Sequence, residues 1–144
     1  MSNKNLKNKS NLKKKQEYSI NETTINKENN RLVVSFSKLD RNQGQTFEEW
    51  EKENLLLPFL NTIRDYSEMP FQELLNNNLK FKQYGFFPPV SNFKKPIHID
   101  NNVNWSSMHI NGKCCVGGYL YENTFYIVFL DKNHEFWISQ KKHT

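Results

Sequence analysis

The stretch Trp105–Trp137, WSSMHINGKCCVGGYLYENTFYIVFLDKNHEFW, limits the fold of this chain more than any other part of it. It divides into short β-favouring runs separated by turn residues, the pattern of consecutive antiparallel strands. Trp105–Ile110 is the first strand. Asn111-Gly112, a type I′ hairpin pair, turns the chain into a second strand, Cys114–Tyr121. Gly117-Gly118 in the middle of that strand implies a bulge or a close backbone approach. Glu122-Asn123 makes the next tight turn. Phe125–Leu130 is apolar on both faces and is the best candidate for a central strand. Asp131–His134 turns the chain again, and Glu135–Ser139 is expected to close the meander. Such a ribbon suits a small sheet with one buried face and one face offered to a ligand.

Upstream, Leu32–Phe36 is a short β-branched and aromatic run that reads as a first strand. After a polar loop, Thr46 is placed as a helix N-cap, with Glu49 three residues on to complete a capping box. Phe47, Trp50, Leu55, Leu56, Phe59, Leu60 and Ile63 recur at near-helical spacing. Pro58 falls inside this pattern and predicts two short helices or one bent helix. The second part runs to about Tyr66, Met69-Pro70 ends it, and Phe71–Leu75 adds another turn. Leu79–Phe87 alternates briefly and could be a strand. Pro88–Asn104 reads as an extended, irregular connection, so long that it is either functional or misread. The expected fold is α+β: a small antiparallel sheet of four or five strands, one face covered by helices that follow the first strand.

The chain has 144 residues and a net charge of +5, unevenly spread. Residues 1–30 carry seven Lys against three acids, residues 31–79 five basic residues against eight acids, and residues 80–144 eight Lys against four acids, giving +4, −3 and +4. Residues 1–30, mostly Lys, Asn, Ser and Glu, have too little to bury and are expected to form a disordered basic tail ahead of a single domain at 31–144. A basic tail assists nucleic-acid binding or simply solubilises. The two cysteines, Cys114 and Cys115, are adjacent and point to opposite faces of a strand, so no disulfide framework is expected. The longest apolar run, Phe125–Leu130, is six residues, far short of a membrane span. No hydrophobic segment follows the basic N-terminus. These features predict a cytoplasmic protein without a membrane partner.

Three local features carry a family resemblance: Trp105-Ser106 opening the strand after the helices, Tyr119 late in the following strand, and His134 with Phe136 near the C-terminus. Met69-Pro70-Phe71 after the helices adds a fourth. With the order strand, helical pair, connection, meander, they make residues 31–139 similar to the RelE/ParE toxin superfamily, and to its YoeB-like branch in particular. The resemblance implies a twisted sheet packed by N-terminal helices, an mRNA endoribonuclease that works without a metal, possible action on the ribosome, and a cognate antitoxin protein that silences it. The chain departs from that pattern at two points. Lys113-Cys114-Cys115-Val116 stands where the family's ribonucleases usually carry an arginine, and no arginine follows Arg64. Ser107-Met108-His109 replaces a pair of basic residues.

RNA cleavage by 2′-hydroxyl attack needs a base, an acid and positive charge on the phosphate. An imidazole takes or gives a proton near neutral pH. His134, near a strand end, and His109 are the candidate proton-transfer groups. Strand alternation puts Trp105, Ser107 and His109 on one face and Ser106, Met108 and Ile110 on the inward one. Trp105 would then stack an RNA base, or else pack beneath the long connection. Lys113, Lys141, Lys142 and His143 are candidate phosphate contacts, with ordinary solvated charge as the plainer alternative. No CxxC or HxxxH spacing gathers the histidines and cysteines, so neither metal nor cofactor is expected. The leading reading is a toxin endoribonuclease of RelE/ParE type; the alternative is a non-catalytic module on the same fold that binds nucleic acid or protein.

Overall fold

The computed structural model describes residues 30–139. The expected disordered tail and the candidates Lys141, Lys142 and His143 lie outside the described residues. Strand β1 (Val33–Ser35) precedes helices α1 (Phe47–Lys52), α2 (Leu56–Glu68) and α3 (Phe71–Leu75). Strands β2 (Phe81–Gln83), β3 (Asn104–Asn111), β4 (Cys114–Tyr121) and β5 (Thr124–Asp131) follow. They form one five-stranded sheet in the order β1-β5-β4-β3-β2. Pairing is antiparallel except between β1 and β5, which run parallel. The architecture is α+β. The run Phe125–Leu130 lies in β5, between β1 and β4, and β4 is the middle strand.

Helix α1 begins as its sequence dictates. The Thr46 hydroxyl accepts from the Glu49 amide, and the Glu49 carboxylate accepts from the Thr46 amide. The break before α2 is not where Pro58 suggested. Asn54 adopts φ 61° and turns the chain there, while Pro58 sits third in α2. The first four helical N–H groups have no intrahelical partner, so a proline in that turn costs no hydrogen bond. Trp50, Phe59, Tyr66, Phe71 and Leu74 from the helices pack on Phe81, Met108, Val116, Phe125, Ile127 and Leu130 of the sheet.

The meander differs from expectation at both ends. The first hairpin loop is Gly112-Lys113, between the paired Asn111 and Cys114. Gly112 has φ 55° and Lys113 is not left-handed, which suits a type II′ turn with Gly first. Near Gly117-Gly118 the register shifts: Gly117 faces Phe129 and Gly118 faces Ile127, so the extra residue is Val128 on β5. Its carbonyl leaves the ladder and accepts from the Asp40 amide. The bulge explains why Phe125–Leu130 is apolar throughout: it switches which face the side chains meet. Glu135–Ser139 forms no strand. It is irregular and crosses back over the sheet.

That crossing, with residues 84–103, covers much of the face expected to be open. Phe87, Phe93, Ile99 and Phe136 pack there on Trp105, Tyr119 and Phe129. The long connection is the second layer over the sheet. It is tied to the C-terminal segment by the Asn92 amide on the Glu135 carbonyl and the Ile138 amide on the Val90 carbonyl. No helix among the described residues is long and apolar enough to cross a membrane.

Candidate functional site

On the outer face β3 and β4 present three rows of paired residues: Trp105 with Tyr119, Ser107 with Gly117, and His109 with Cys115. The first row is dry. Trp105 is fully buried, with the Phe87 ring edge-on at 5.0 Å and Phe129 and Phe136 at 6.3 and 5.8 Å. This removes Trp105 from base stacking: the connection supplies enough aromatic surface to bury the indole. The second row is half closed. The Tyr84 hydroxyl shares a 2.9 Å hydrogen bond with Ser107. Phe136 lies so close over Gly117 that a Cβ there would meet its ring at 2.9 Å. The third row is open, and His109 is exposed.

His109 is held by its backbone. Its amide donates to the Lys80 carbonyl (2.8 Å) and its carbonyl accepts from the Tyr66 hydroxyl (3.0 Å). His134 arrives from the other side, on the turn after β5, exposed and with φ 59°. That turn is organised by Asp131, which is 1% exposed. Its carboxylate accepts from the Glu135 amide (2.8 and 2.9 Å), the Phe136 amide (2.8 Å) and the Cys115 thiol (3.4 Å). One buried carboxylate therefore curls the segment that carries His134 and drives Phe136 onto the sheet.

The result is a cleft of about 240 Å³ with His109 and His134 in its walls. Lys80, Lys82 and Tyr84, from β2 and its flanks, line it as well, with Ser107 and Cys115 from the sheet and Trp137 and Ser139 from the C-terminal segment. Among the described residues no acidic side chain lines it, so its ionisable fringe there is cationic. Burial, reinforced by the charge of Asp131 and by the hydrogen bond donated to it, pushes the Cys115 thiol far above its ordinary range. Cys115 is thus part of the floor and not a thiolate nucleophile. Larger hollows lie elsewhere. One of about 490 Å³ mixes Lys38, Asp100 and Glu122 with tyrosines, and one of about 520 Å³ is lined chiefly by Leu56, Leu57, Pro58 and Leu60. Neither holds an imidazole. Among the described residues no three His, Cys, Asp or Glu side chains gather as metal ligands.

No protein-family model, curated protein or solved structure matches this chain.

Of the candidates read from sequence, His109 and His134 both line this cleft. Lys113 is exposed on the β3–β4 turn and does not line the cleft. A lysine just after the hairpin could meet a phosphate as a point charge, but the turn carries Lys113 away from the cleft. The site also takes in Lys80, Lys82, Tyr84 and Trp137, with Asp131 shaping the turn, none of them among the sequence candidates. For the first three a signal existed: in LKFKQY the alternation puts Lys80, Lys82 and Tyr84 opposite the buried Phe81. For Asp131 and Trp137 no local signal distinguishes a capping carboxylate from a turn acid, or a half-buried indole from a fully buried one.

Proposed function

We propose that the cleft binds RNA and cleaves it, and that the chain is a metal-independent endoribonuclease toxin of RelE/ParE type. The observation that carries this reading is the convergence of two exposed imidazoles from different elements on one cleft that is fringed by Lys80 and Lys82 and, among the described residues, free of acids. One imidazole takes the proton of the attacking 2′-hydroxyl. The other gives a proton to the departing 5′-oxygen. The lysines offset the charge that grows on the phosphate. The P–O5′ bond breaks as the P–O2′ bond forms, leaving a 2′,3′-cyclic phosphate and a 5′-hydroxyl. The family resemblance supplies the rest of the proposal: an mRNA target, a cognate antitoxin partner and action in the cytoplasm.

The test is cleavage of a single-stranded oligoribonucleotide by the wild-type chain, His109→Ala and His134→Ala. Each variant is expected to lose about 10²- to 10⁴-fold in rate. A substrate with sulfur in place of the bridging 5′-oxygen, a better leaving group, rescues only the variant that lacks the acid. Equal cleavage by wild type and both variants would overturn the assignment. The alternative, a non-catalytic binding module, is favoured by one feature: no arginine lines the cleft. It would show as RNA binding that weakens steeply with salt and is not followed by cleavage.

A further inference from the structure

The wall of this cleft is aromatic as well as basic. Trp137 lies face to face on Tyr84, with ring centroids 4.1 Å apart and planes 3° from parallel. Phe86, 57% exposed, meets the indole at 5.9 Å and 61°. Tyr84 is fixed from several sides: its hydroxyl by Ser107 at 2.9 Å, its ring by Phe136 at 6.1 Å, and the Lys82 ammonium at 5.6 Å from its centroid. Trp137 itself is only partly buried and lines the cleft three positions after His134. An aromatic surface already locked in place loses little freedom when a planar ligand settles on it. Beside a cationic cleft, the planar group that accompanies a phosphate is a nucleobase.

We infer that the cleft takes single-stranded RNA, with one base stacked on the Trp137–Tyr84 pair while the adjoining phosphate meets Lys80 and Lys82. This deepens the RNA reading above and rests on it. A duplex base has both faces occupied by its neighbours, so only an unpaired, splayed base can use such a platform. Stacking is indifferent to base identity, so the subsite selects strandedness more than sequence.

The chain carries its own reporter. Of its three tryptophans, Trp50 and Trp105 are fully buried, leaving Trp137 as the one a ligand can reach. The full chain is titrated with a 2′-O-methyl hexanucleotide, which binds but offers no hydroxyl for attack, and with the same hexamer annealed to its complement. The single strand is expected to quench the tryptophan fluorescence and the duplex to leave it unchanged. Trp137→Ala should remove the quench and weaken binding on the order of 10-fold, and Trp137→Phe should retain most of the affinity. Fluorescence anisotropy of a labelled hexamer follows binding independently of the indole. Binding without quenching, or equal affinity for the duplex, would overturn the platform even if no variant folded. Failure to bind either probe would remove it together with the RNA reading. Quenching by the single strand with no cleavage of unmodified RNA would sink catalysis and leave the platform standing. Cleavage by wild type with no quench would do the reverse.

Discussion

The two ends of the outer sheet face are built from the same pair of strands and have opposite fates. At one end Trp105 is sealed beneath Phe87 and Phe136, with Tyr119 packed edge-on against it. At the other, four residues along β3, His109 stands in solvent. Nothing in β3 alone makes this difference. The cover does: residues 84–103 and the segment after β5 extend over the first row and stop at the second, where Phe136 fits against Gly117. Stability is concentrated where the face is dry, and candidate chemistry sits where the cover runs out. The face is thus divided between a core and a cleft that meet at Phe136 and Tyr84.

The sharpest test of that division is Phe136→Ala. Phe136 is 1% exposed and touches Tyr84, Phe87, Trp105 and Phe129. Removing its ring leaves a cavity above Gly117 and is expected to cost about 3–5 kcal/mol in urea denaturation. His134→Ala, two residues away on an exposed turn, should stay within about 0.5 kcal/mol of wild type. Comparable losses from the two substitutions would mean that the open end is structural after all.

The sequence made the local decisions legible and left the long-range ones hidden. The Thr46–Glu49 capping box needs only residues three apart, and the hairpin spacing needs only the turn residues, so both could be read directly. Even there, type I′ was expected where Gly112-Lys113 makes the loop, because the bulge after His109 shifts the pairing. Pro58 misled because its effect depends on where the helix starts, and Asn54 set that start. Alternation assigns Trp105, Ser107 and His109 to one face correctly, but it leaves open whether Trp105 stacks a base or packs beneath the connection, and the second holds. Whether an outward Trp is a platform or a core residue depends on a connection whose path no local propensity specifies. The indole available for stacking is Trp137, held by Tyr84 from over fifty residues earlier in the chain.

A smaller effect is expected from Asp131→Asn, at the seam between the two ends. The carboxylate accepts from two backbone amides and one thiol. A carboxamide has one acceptor oxygen, and its NH₂ would face donors. The expected cost is about 1–3 kcal/mol, from buried hydrogen bonds lost or left unpartnered. Because Asp131 shapes the turn that presents His134, cleavage should fall further than stability, measured at a temperature where the variant is fully folded. A variant with lowered stability and wild-type cleavage would show that His134 needs no such support.

The mildest perturbation is alkaline pH, which probes the cleft's floor. Burial, with the charge of Asp131 second, pushes the Cys114 thiol from 9.0 to about 11, and the Cys115 thiol goes higher for the same reasons. The unfolded chain loses these protons near the ordinary value, and the native chain keeps them. Both contributions are therefore whole below about pH 9; that of Cys114 is lost as pH rises through about 11, and that of Cys115 goes on falling above it. Tyr84 and Tyr66, also raised chiefly by burial, act in the same direction. Unfolding free energy should slope downward over that window, and Cys115→Ala should flatten the slope. At pH 8 the native chain should resist a disulfide-exchange reagent that titrates two thiols after unfolding. A native Cys115 that reacts as fast as free cysteine would mean that water reaches beneath His109, and the boundary between the dry and open ends would have to be moved one row inward.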